Sequence, residues 1–377
     1  MASLKYSMFQ EVPRDGAKTI LESRQLGFSQ VRLLPKDAGT RPIINLRRRV
    51  SKLRNGRNVL GRSINSIMGP VQNMLNCERI LQPSKLGSSL FSVGDMYPRL
   101  KTYKLRLQQL NIRRCELYFA KVDVQSCFDT IPQRNVIRLI ERLASKDEYR
   151  IERHVEMKKS NIATATAVKP SRRFIAKAAA ADDFYTFAEK VEQDLAPGKR
   201  NAIFVNHAAQ TKQKKKALLE LLRSHVAENL VKIGKKFYRQ KEGIPQGSVI
   251  SSLLCNFFYA DLEQTSLDFL LTDDGDLLFR LVDDFLLITP RREHATSFLD
   301  IMHQGIPEYG VTVATKKSLV NFDANIKGER IPKVSDTSFF PYCGTLIDMN
   351  TLEFRKDRRQ KSGTCRLHHL RMLTQGN

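Results

Sequence analysis

The sequence predicts an α+β fold, in which helices cover one face of a split βαβ sheet. The order of elements supports this, because a strand ending near Asp123 is followed by a helix, a long insertion, another helix and a strand–turn–strand unit. A chain of 377 residues with 41% hydrophobic content can form two or three lobes around a substantial core. The stretch RLVDDFLLITP adds a pair of carboxylates, Asp283 and Asp284, to an otherwise apolar hairpin.

The first part of the chain predicts a hairpin, a helix and a strand. FSQVRLLPKDAGTRPIINL alternates in polarity, and Lys36 and Arg41 flank the tip of its turn, which runs from Pro35 to Gly39. VGDMYPRLKTYKLRLQQL predicts a helix that leads to the strand in ELYFAKVDVQSCFDTIP, near whose end Asp123 lies. Pro132 then opens a helix. The apolar face of this helix is predicted to comprise Val136, Ile140, Leu143 and Ala144.

The second part begins with a basic segment, residues 150–240, which is predicted as a largely helical insertion because it contains stretches such as KALLELLRSHVAENLVKI. Near its end, KKFYRQ predicts a strand. After Gly247, SVISSLLCNFFYADLEQTSLDFLL predicts a helix with Ser248 as its N-cap. The Asp-Asp hairpin follows, then a helix around EHATSFLDIMHQGI, two short strands around VTVATKKSLVNF and a final hairpin in FFPYCGTLIDMNTLEF.

The composition indicates a polyanionic partner. The chain has 63 Lys and Arg against 39 Asp and Glu, a formal net charge of +24 that is spread along its length. Binding to nucleic acid would relieve the self-repulsion of such an excess. The 6 cysteines are scattered without metal-ligand spacing, which argues against a zinc site and a disulfide framework. Neither a signal-peptide core nor a membrane-length apolar run is present, so we expect a soluble protein with reduced thiols.

Asp283 and Asp284 admit two interpretations. Adjacent carboxylates in an apolar stretch need a cation, hydrogen bonds or a solvated turn, because burying unpaired charge is costly. An Asp-Asp turn between two strands would satisfy this without a ligand. If the split sheet brings Asp123 beside the turn, three carboxylates converge, and such a set suits two Mg²⁺ ions, which prefer oxygen ligands. Two ions about 3.5 to 4 Å apart assist both oxygens of a phosphoryl displacement.

QKEGIPQGSVIS and the first hairpin extend the second interpretation. Gly243 and Gly247 bracket a tight loop that lets the backbone approach a ligand before a helix begins. Lys36 and Arg41 would supply the positive charge that a triphosphate needs. Taken singly, each feature has an ordinary alternative. The glycine loop can be a simple start of a helix, and Lys36 and Arg41 can be exposed surface charges.

Taken in order, these motifs resemble those of reverse transcriptases, and the telomerase reverse transcriptase family most closely. VRLLPKDAGTRPIINLR resembles the paired finger motifs, LGSSLFSVGDMYPRLKTYK the additional finger motif and LYFAKVDVQSCFDTIPQ the first aspartate motif. GIPQGSVISSLLCNFFYADLE resembles the template-contact motif, RLVDDFLLITP the Asp-Asp motif, GIPEYGVTVATKKSLVNF the next palm motif and YCGTLID the primer grip. The resemblance spans about residues 28 to 352, and the long insertion favours this family over mobile-element enzymes.

The resemblance implies a right-hand polymerase with fingers and a palm, whose sheet is a ferredoxin-like split βαβ unit. The implied parts are fingers (1–115), the first part of the palm (116–149), an insertion (150–240), the palm with its primer grip (241–352), and the start of a truncated thumb or a basic tail (353–377). The resemblance includes no counterpart of the family's RNA-binding and N-terminal domains.

The family's functional residues carry over at the matching positions. The implied metal ligands are Asp123, Val124, Asp283 and Asp284. Lys317 matches a palm lysine that assists the pyrophosphate leaving group. The implied nucleotide-binding residues are Lys36, Arg41, Phe128, Gln246, Gly247 and Ser248. The implied primer grip comprises Tyr342, Cys343 and Gly344. Phe128 replaces the tyrosine that is usual in the family, and either ring would exclude a 2′-hydroxyl; the alternative is a core aromatic.

The implied activity is RNA-directed DNA synthesis that adds telomeric repeats to chromosome 3′ ends with two Mg²⁺ ions. The implied partners are a telomerase RNA template, a single-stranded telomeric DNA primer, deoxynucleoside triphosphates and other telomerase or telomere proteins, in a ribonucleoprotein at nuclear telomeres. No membrane partner is expected. Two alternatives remain, a retroelement or group II intron-type reverse transcriptase and a catalytically inactive nucleic-acid-binding fragment.

Overall fold

The computed structural model describes residues 8–36, 39–49, 51–54, 57–112, 117–158, 171–180, 186–272, 275–335 and 338–358. In these ranges the α-helices are α1 (Arg14–Ser23), α2 (Ile64–Ile67), α3 (Gly69–Leu81), α4 (Met96–Gln109), α5 (Cys127–Thr130), α6 (Gln133–Leu143), α7 (Phe187–Lys190), α8 (Lys215–Ala227), α9 (Ser251–Ser266) and α10 (Arg292–Gln304). The strands are β1 (Phe9–Val12), β2 (Ser29–Lys36), β3 (Gly39–Ile44), β4 (Ser51–Arg54), β5 (Arg57–Leu60), β6 (Tyr118–Asp123), β7 (Glu148–Lys158), β8 (Ser171–Ala180), β9 (Ala202–Lys214), β10 (Leu230–Ile233), β11 (Lys236–Gln240), β12 (Leu277–Leu281), β13 (Asp284–Thr289), β14 (Leu319–Val320), β15 (Asn325–Ile326), β16 (Glu329–Arg330), β17 (Phe339–Tyr342), β18 (Thr345–Asp348) and β19 (Phe354–Lys356).

An antiparallel sheet in the order β12-β13-β6-β14, which we call the palm sheet, positions the acidic residues. β13 pairs with β6 so that Asp284 lies opposite Asp123. One face of the sheet contributes its apolar side chains to the main hydrophobic cluster, which also contains the buried faces of α6, α9 and α10. This arrangement confirms the predicted sheet and the helices on one of its faces.

The opposite face of the palm sheet is also covered. Phe119, Leu286 and Ile288 belong to a second hydrophobic cluster with Tyr103 of α4 and Tyr342 of β17. The prediction that helices cover one face only is therefore incomplete, because α4 and the β17–β18 hairpin pack on the other. Burial on both faces explains why FLLIT is continuously apolar instead of alternating.

The first hairpin belongs to a second sheet in the order β1-β11-β10-β2-β3, which we call the finger sheet. Its two strands are paired as far as Pro35 opposite Thr40 and Lys36 opposite Gly39, so the strand pairing extends into the predicted turn. β10 and β11, which lie in the predicted insertion, join this sheet, and β10 runs parallel to β2. The end of the predicted insertion therefore packs with the fingers.

The described part of the predicted insertion is built mainly of strands. β7 pairs with both β8 and β9 in an antiparallel sheet, which we call the insertion sheet. Helical structure within it is limited to α7, the π-helical turn Val191–Leu195 and α8. The prediction of a largely helical insertion is therefore wrong. KALLELLRSHVA does form α8, but EYRIERHVEMK, which alternates every second residue as a strand does, is β7.

The helices around the palm sheet follow the sequence closely, apart from one cap. α6 begins after Pro132 and buries its predicted apolar face. α9 begins at Ser251 with Ile250 at the N-cap position, so the predicted cap Ser248 lies two residues too early, although its Oγ accepts a long hydrogen bond, 3.5 Å, from Ile250 N. The final hairpin is confirmed as β17 and β18. Within the described ranges, every helix is too short or too polar to span a bilayer.

Candidate active site

Two strands of the palm sheet meet at a turn that carries Asp283 and Asp284. Leu281 of β12 lies opposite Asp284 of β13, so Val282 and Asp283 form the turn itself. Val282 has a φ of 61°, a left-handed conformation that is an outlier for a β-branched residue. Its side chain is buried. Packing therefore holds the turn in a strained shape, a feature that clusters at functional sites.

Asp123 ends β6 directly beside this turn. The N–H of Val124 donates to the carbonyl oxygen of Asp283 at 3.1 Å, which fixes the end of β6 against the turn. As a result, carboxylate oxygens of Asp123, Asp283 and Asp284 all lie within 4.8 Å of one another. The structure thus brings the three predicted carboxylates together, whereas their binding of metal ions, and that of Val124, stays a prediction.

Asp283 lies in contact with a cysteine thiol. Its Oδ2 accepts a long hydrogen bond, 3.6 Å, from the thiol of the buried residue Cys127. Burial, together with the charges of Asp284 and Asp123, raises the pKa of Asp283 to about 7. A bound cation would favour the charged carboxylate and lower this pKa again.

Two lysines approach the other carboxylates. Lys317 places its Nζ 2.8 Å from Asp123 Oδ2, and 48% of its side chain is exposed. Lys121 places its Nζ 3.8 Å from Asp284 Oδ1, and only 14% of its side chain is exposed. The sequence analysis identified Lys317 and missed Lys121, although Lys121 precedes Asp123 by two residues and therefore lies on the same face of β6.

The turn between β17 and β18 packs against the carboxylate turn. The hydroxyl of Tyr342 accepts a hydrogen bond from Leu281 N at 3.2 Å and donates to the carbonyl oxygen of Asp284 at 2.9 Å. The thiol of Cys343 lies 3.6 Å from Asp284 Oδ2. Cys343 and Gly344 have φ values of 45° and 78°, as both central residues of a type I′ turn require. The predicted primer-grip residues therefore lie beside the carboxylates, and their contact with a primer stays a prediction.

The glycine loop closes tightly against its neighbours. Gly243 has a φ of 74°, and a Cβ at this position would lie 2.4 Å from the carbonyl oxygen of Phe128. Gly247 has a φ of 103°, and a Cβ there would lie 2.6 Å from the carbonyl oxygen of Ile44. Because any side chain would collide with backbone at both positions, the packing of this loop requires glycine, whereas the approach of its backbone to a ligand stays a prediction.

The loop is fixed by two buried polar residues that the sequence analysis missed. Asn65 donates to Gly247 O at 3.0 Å and accepts from Val249 N at 3.2 Å. His225 of α8 places its Nε2 2.8 Å from Ser248 Oγ. Burial lowers the pKa of His225 to about 4, so the ring is neutral at pH 7. Neither residue carries a sequence signal, because its burial depends on contacts with distant parts of the chain.

The helical turn α5 joins this loop to the carboxylates, since its first residue provides the thiol that contacts Asp283. The carbonyl oxygen of Phe128 accepts from Ile244 N at 2.6 Å. Asp129 accepts from Gln246 Nε2 at 2.8 Å. The ring of Phe128 is half-buried and packs against the main hydrophobic cluster. Its role beneath a sugar stays a prediction.

Lys36 and Arg41 lie on β2 and β3 near the hairpin tip. Their side chains lie outside the described part of the structure. Farther from the tip, Ile44 N donates to Gln246 O at 3.1 Å, which ties the hairpin to the glycine loop. Phosphate binding by Lys36 and Arg41 stays a prediction.

Comparisons with known proteins bear on this arrangement of motifs. A family model described as reverse transcriptase (RNA-dependent DNA polymerase) matches residues 202–338. The telomerase reverse transcriptase of Rattus norvegicus is 30% identical over 330 residues, which cover 86% of this chain and 29% of the relative. That of Canis lupus familiaris is 32% identical over 335 residues, covering 87% and 29% respectively. Over most of its length, the chain is therefore similar to part of the telomerase reverse transcriptases.

Solved telomerase structures share the fold. The structure of apo telomerase from Candida tropicalis has a TM-score of 0.63 at 18% identity and covers 99% of this chain and 55% of its own. Telomerase from Candida albicans, in complex with a TWJ fragment of telomeric RNA, has a TM-score of 0.61 at 19% identity over 94% of this chain and 50% of its own. The predicted fold class is therefore confirmed. The chain spans less than a third of the length of the telomerase reverse transcriptases it matches.

Proposed function

We propose that the chain catalyses RNA-templated DNA synthesis that adds telomeric repeats to chromosome 3′ ends. The observation that carries this proposal is the convergence of Asp123, Asp283 and Asp284 at one end of the palm sheet. The reverse transcriptase match and the similarity to telomerase reverse transcriptases support this activity over that of a retroelement or intron-type enzyme. Clustered carboxylates would only destabilise an inactive scaffold, because two like unit charges 4 Å apart repel by about 4 kcal/mol at an effective dielectric of 20.

The acidic site fits a pair of Mg²⁺ ions. Its donors are carboxylate oxygens, the ligand type that hard divalent cations prefer. Burial and the charges of Asp284 and Asp123 raise the pKa of Asp283 to about 7, and a bound cation would favour its charged form. Asp123, Asp283 and Asp284 would hold the ions, with Val124 beside them. When bound, the ions would activate the 3′-hydroxyl of a primer and stabilise the leaving pyrophosphate.

The remaining residues would position the substrates. Lys317 is half exposed, so it can turn towards the leaving pyrophosphate and neutralise its developing charge. Lys36 and Arg41 would hold the triphosphate from the finger hairpin. The loop 246–248 would contact the template and the incoming nucleotide. Phe128 would exclude a 2′-hydroxyl and so select deoxynucleoside triphosphates.

The proposed partners are a telomerase RNA template, a single-stranded telomeric DNA primer, and other telomerase or telomere proteins in a nuclear ribonucleoprotein. The turn at Tyr342, Cys343 and Gly344 would hold the primer end beside the carboxylates. A net charge of +24 suits the phosphate backbones of both nucleic acids. Since such binding releases counterions, the affinity should fall steeply as salt is added.

Replacing Asp123 by Ala tests the catalytic role of the acidic site. Nucleotide addition to a DNA primer on an RNA template, with Mg²⁺, should fall by at least about a thousandfold, roughly 4 kcal/mol of transition-state stabilisation. Affinity for the primer–template duplex should stay within a few-fold. The control is Asp300→Ala, which removes an exposed aspartate from α10 and should leave extension unchanged.

Assays should include the chain alone and the chain supplemented with the RNA-binding region of a relative and its telomeric RNA. Undiminished extension by Asp123→Ala would contradict the assigned role. Extension that is equally efficient on any RNA template would contradict the telomeric assignment and favour a general reverse transcriptase.

A further inference from the structure

Lys121 lies behind the carboxylates and has no part in the proposed reaction. It precedes Asp123 by two residues on β6, so both side chains lie on the same face of the palm sheet. Its neighbours across the sheet are Leu286 of β13 and Leu319 of β14. The ammonium group reaches diagonally to Asp284, with Nζ 3.8 Å from Oδ1. The side chain of Lys121 is thus enclosed by strands on both sides.

The second lysine at the site is placed differently. Lys317 lies in a short 3₁₀ turn and contacts Asp123, and 48% of its side chain is exposed, against 14% for Lys121. Lys317 can therefore turn into solvent or towards a substrate, whereas the stem of Lys121 is packed. The acidic cluster has one movable and one fixed positive charge.

We propose that Lys121 is a positioning residue that holds Asp284 in place and sets the divalent-cation affinity of the acidic site. The proposal rests on the metal-binding role given above to the three aspartates. Before cations bind, the fixed charge offsets part of the repulsion among the carboxylates and keeps them assembled. After cations bind, the same charge stays close to them and repels them. Lys121 therefore stabilises the cation-free site and weakens cation binding.

Lys121→Met tests both consequences, because it keeps an unbranched side chain and removes the charge. The full chain is studied without primer or nucleotides, with Mn²⁺ binding followed by electron paramagnetic resonance and with thermal unfolding in EDTA and in Mg²⁺. We expect a lower Tm in EDTA, a larger rise of Tm with Mg²⁺ and a Mn²⁺ dissociation constant lowered by about tenfold. Lys121→Arg keeps the charge and should stay close to the wild type.

Two further variants isolate the effect. Lys101→Met removes an exposed lysine from α4 with the same change in net charge, and it should leave Mn²⁺ affinity unchanged. In an Asp284→Asn background, Lys121→Met should tighten Mn²⁺ binding by a smaller factor, because the ion pair with Asp284 is already lost and only the direct repulsion between Lys121 and the cations remains. If Lys121→Met fails to fold, Lys121→Gln carries the same expectations.

Unchanged or weaker Mn²⁺ binding in the charge-removing variant would overturn the proposal. It would also be overturned if Lys121→Arg matched Lys121→Met, or if the tightening were undiminished in the Asp284→Asn background. A wild-type chain that binds Mn²⁺ yet extends no primer would contradict the proposed function and leave the role of Lys121 intact. A wild-type chain that binds no Mn²⁺ would contradict both.

Discussion

The palm sheet and the insertion sheet both hold carboxylates that are buried or half-buried, but the charges around these carboxylates differ. In the palm sheet, three aspartates face one another, and burial and like charge raise the pKa of Asp283. In the insertion sheet, Glu156 lies between Lys199, at 2.8 Å, and Lys158, at 3.3 Å. The hydrogen bond from Lys199 holds the pKa of Glu156 below its usual value. Carboxylates that face one another favour a ligand site even where lysines approach two of them, whereas a carboxylate held between lysines alone favours a structural role.

The strongest test of this distinction is the paired charge inside the palm. Arg280 and Glu263 are fully buried, with Arg280 Nε 2.6 Å from Glu263 Oε1. Arg280 also donates to Ser89 Oγ at 2.6 Å, which ties β12 to the segment before α4. Replacing Arg280 by Met leaves Glu263 buried and unpaired, and we expect the free energy of unfolding to fall by about 3 to 5 kcal/mol. Denaturant unfolding monitored by circular dichroism measures this loss.

The double variant Arg280→Met, Glu263→Gln serves as the control for this prediction. It removes both charges and should recover part of the lost stability. A loss below about 1 kcal/mol in the single variant would show that the pair is not a structural element of the palm.

The contact between His225 of α8 and Ser248 of the glycine loop should make the stability of the fold depend on pH. The folded protein keeps His225 neutral down to about pH 4, because burial lowers its pKa. The unfolded chain protonates the same ring near pH 6.5, so it binds more protons between these values. The free energy of unfolding should therefore fall by roughly 3 kcal/mol as the pH drops from about 6.5 to 4.

Denaturant unfolding at several pH values, compared between the wild type and His225→Gln, isolates this contribution from other titrating groups. The variant should show a shallower loss across this pH range. Parallel curves for the two proteins would contradict the assignment to His225.

The smallest effect is expected in the insertion sheet. Glu156→Gln removes one charge, but Lys199 and Lys158 are 31% and 50% exposed and can be solvated when their partner is lost. The free energy of unfolding should fall by only about 1 kcal/mol, and primer extension per folded molecule should not change. Thermal unfolding and extension assays on the same samples check both statements. A large loss of extension at unchanged stability would make this sheet part of the active site.

The palm was predictable from the sequence because its signals are local. Continuous apolar strands, a Pro at the start of α6 and an Asp-Asp pair within RLVDDFLLITP need no knowledge of distant contacts. Asp123 required the additional assumption that β6 and β13 are neighbours, which the register of the two strands bears out. Here pattern and topology agree, so the three carboxylates could be named in advance.

Other parts of the structure could not be predicted because they depend on contacts between distant segments. In the insertion, the clear helical pattern of α8 led to the prediction of a helical segment. The alternation that marks β7 as a strand is weaker, because its many charged residues obscure the polarity pattern. Asn65 is distant in sequence from the loop it fixes, and an isolated asparagine carries no sign of burial. Lys121 resembles an ordinary lysine in a strand until the diagonal contact with Asp284 is seen.

The hydroxyl of Tyr342 connects the β17–β18 turn to both strands of the carboxylate turn through two hydrogen bonds. The two turns are thereby joined into one rigid block. In the proposed reaction, the turn that grips the primer and the turn that carries the carboxylates would therefore move together, and a growing strand would have to slide past both after every nucleotide. Movement of the primer by one nucleotide would then require motion of the nucleic acid and the fingers, while the palm stays in place.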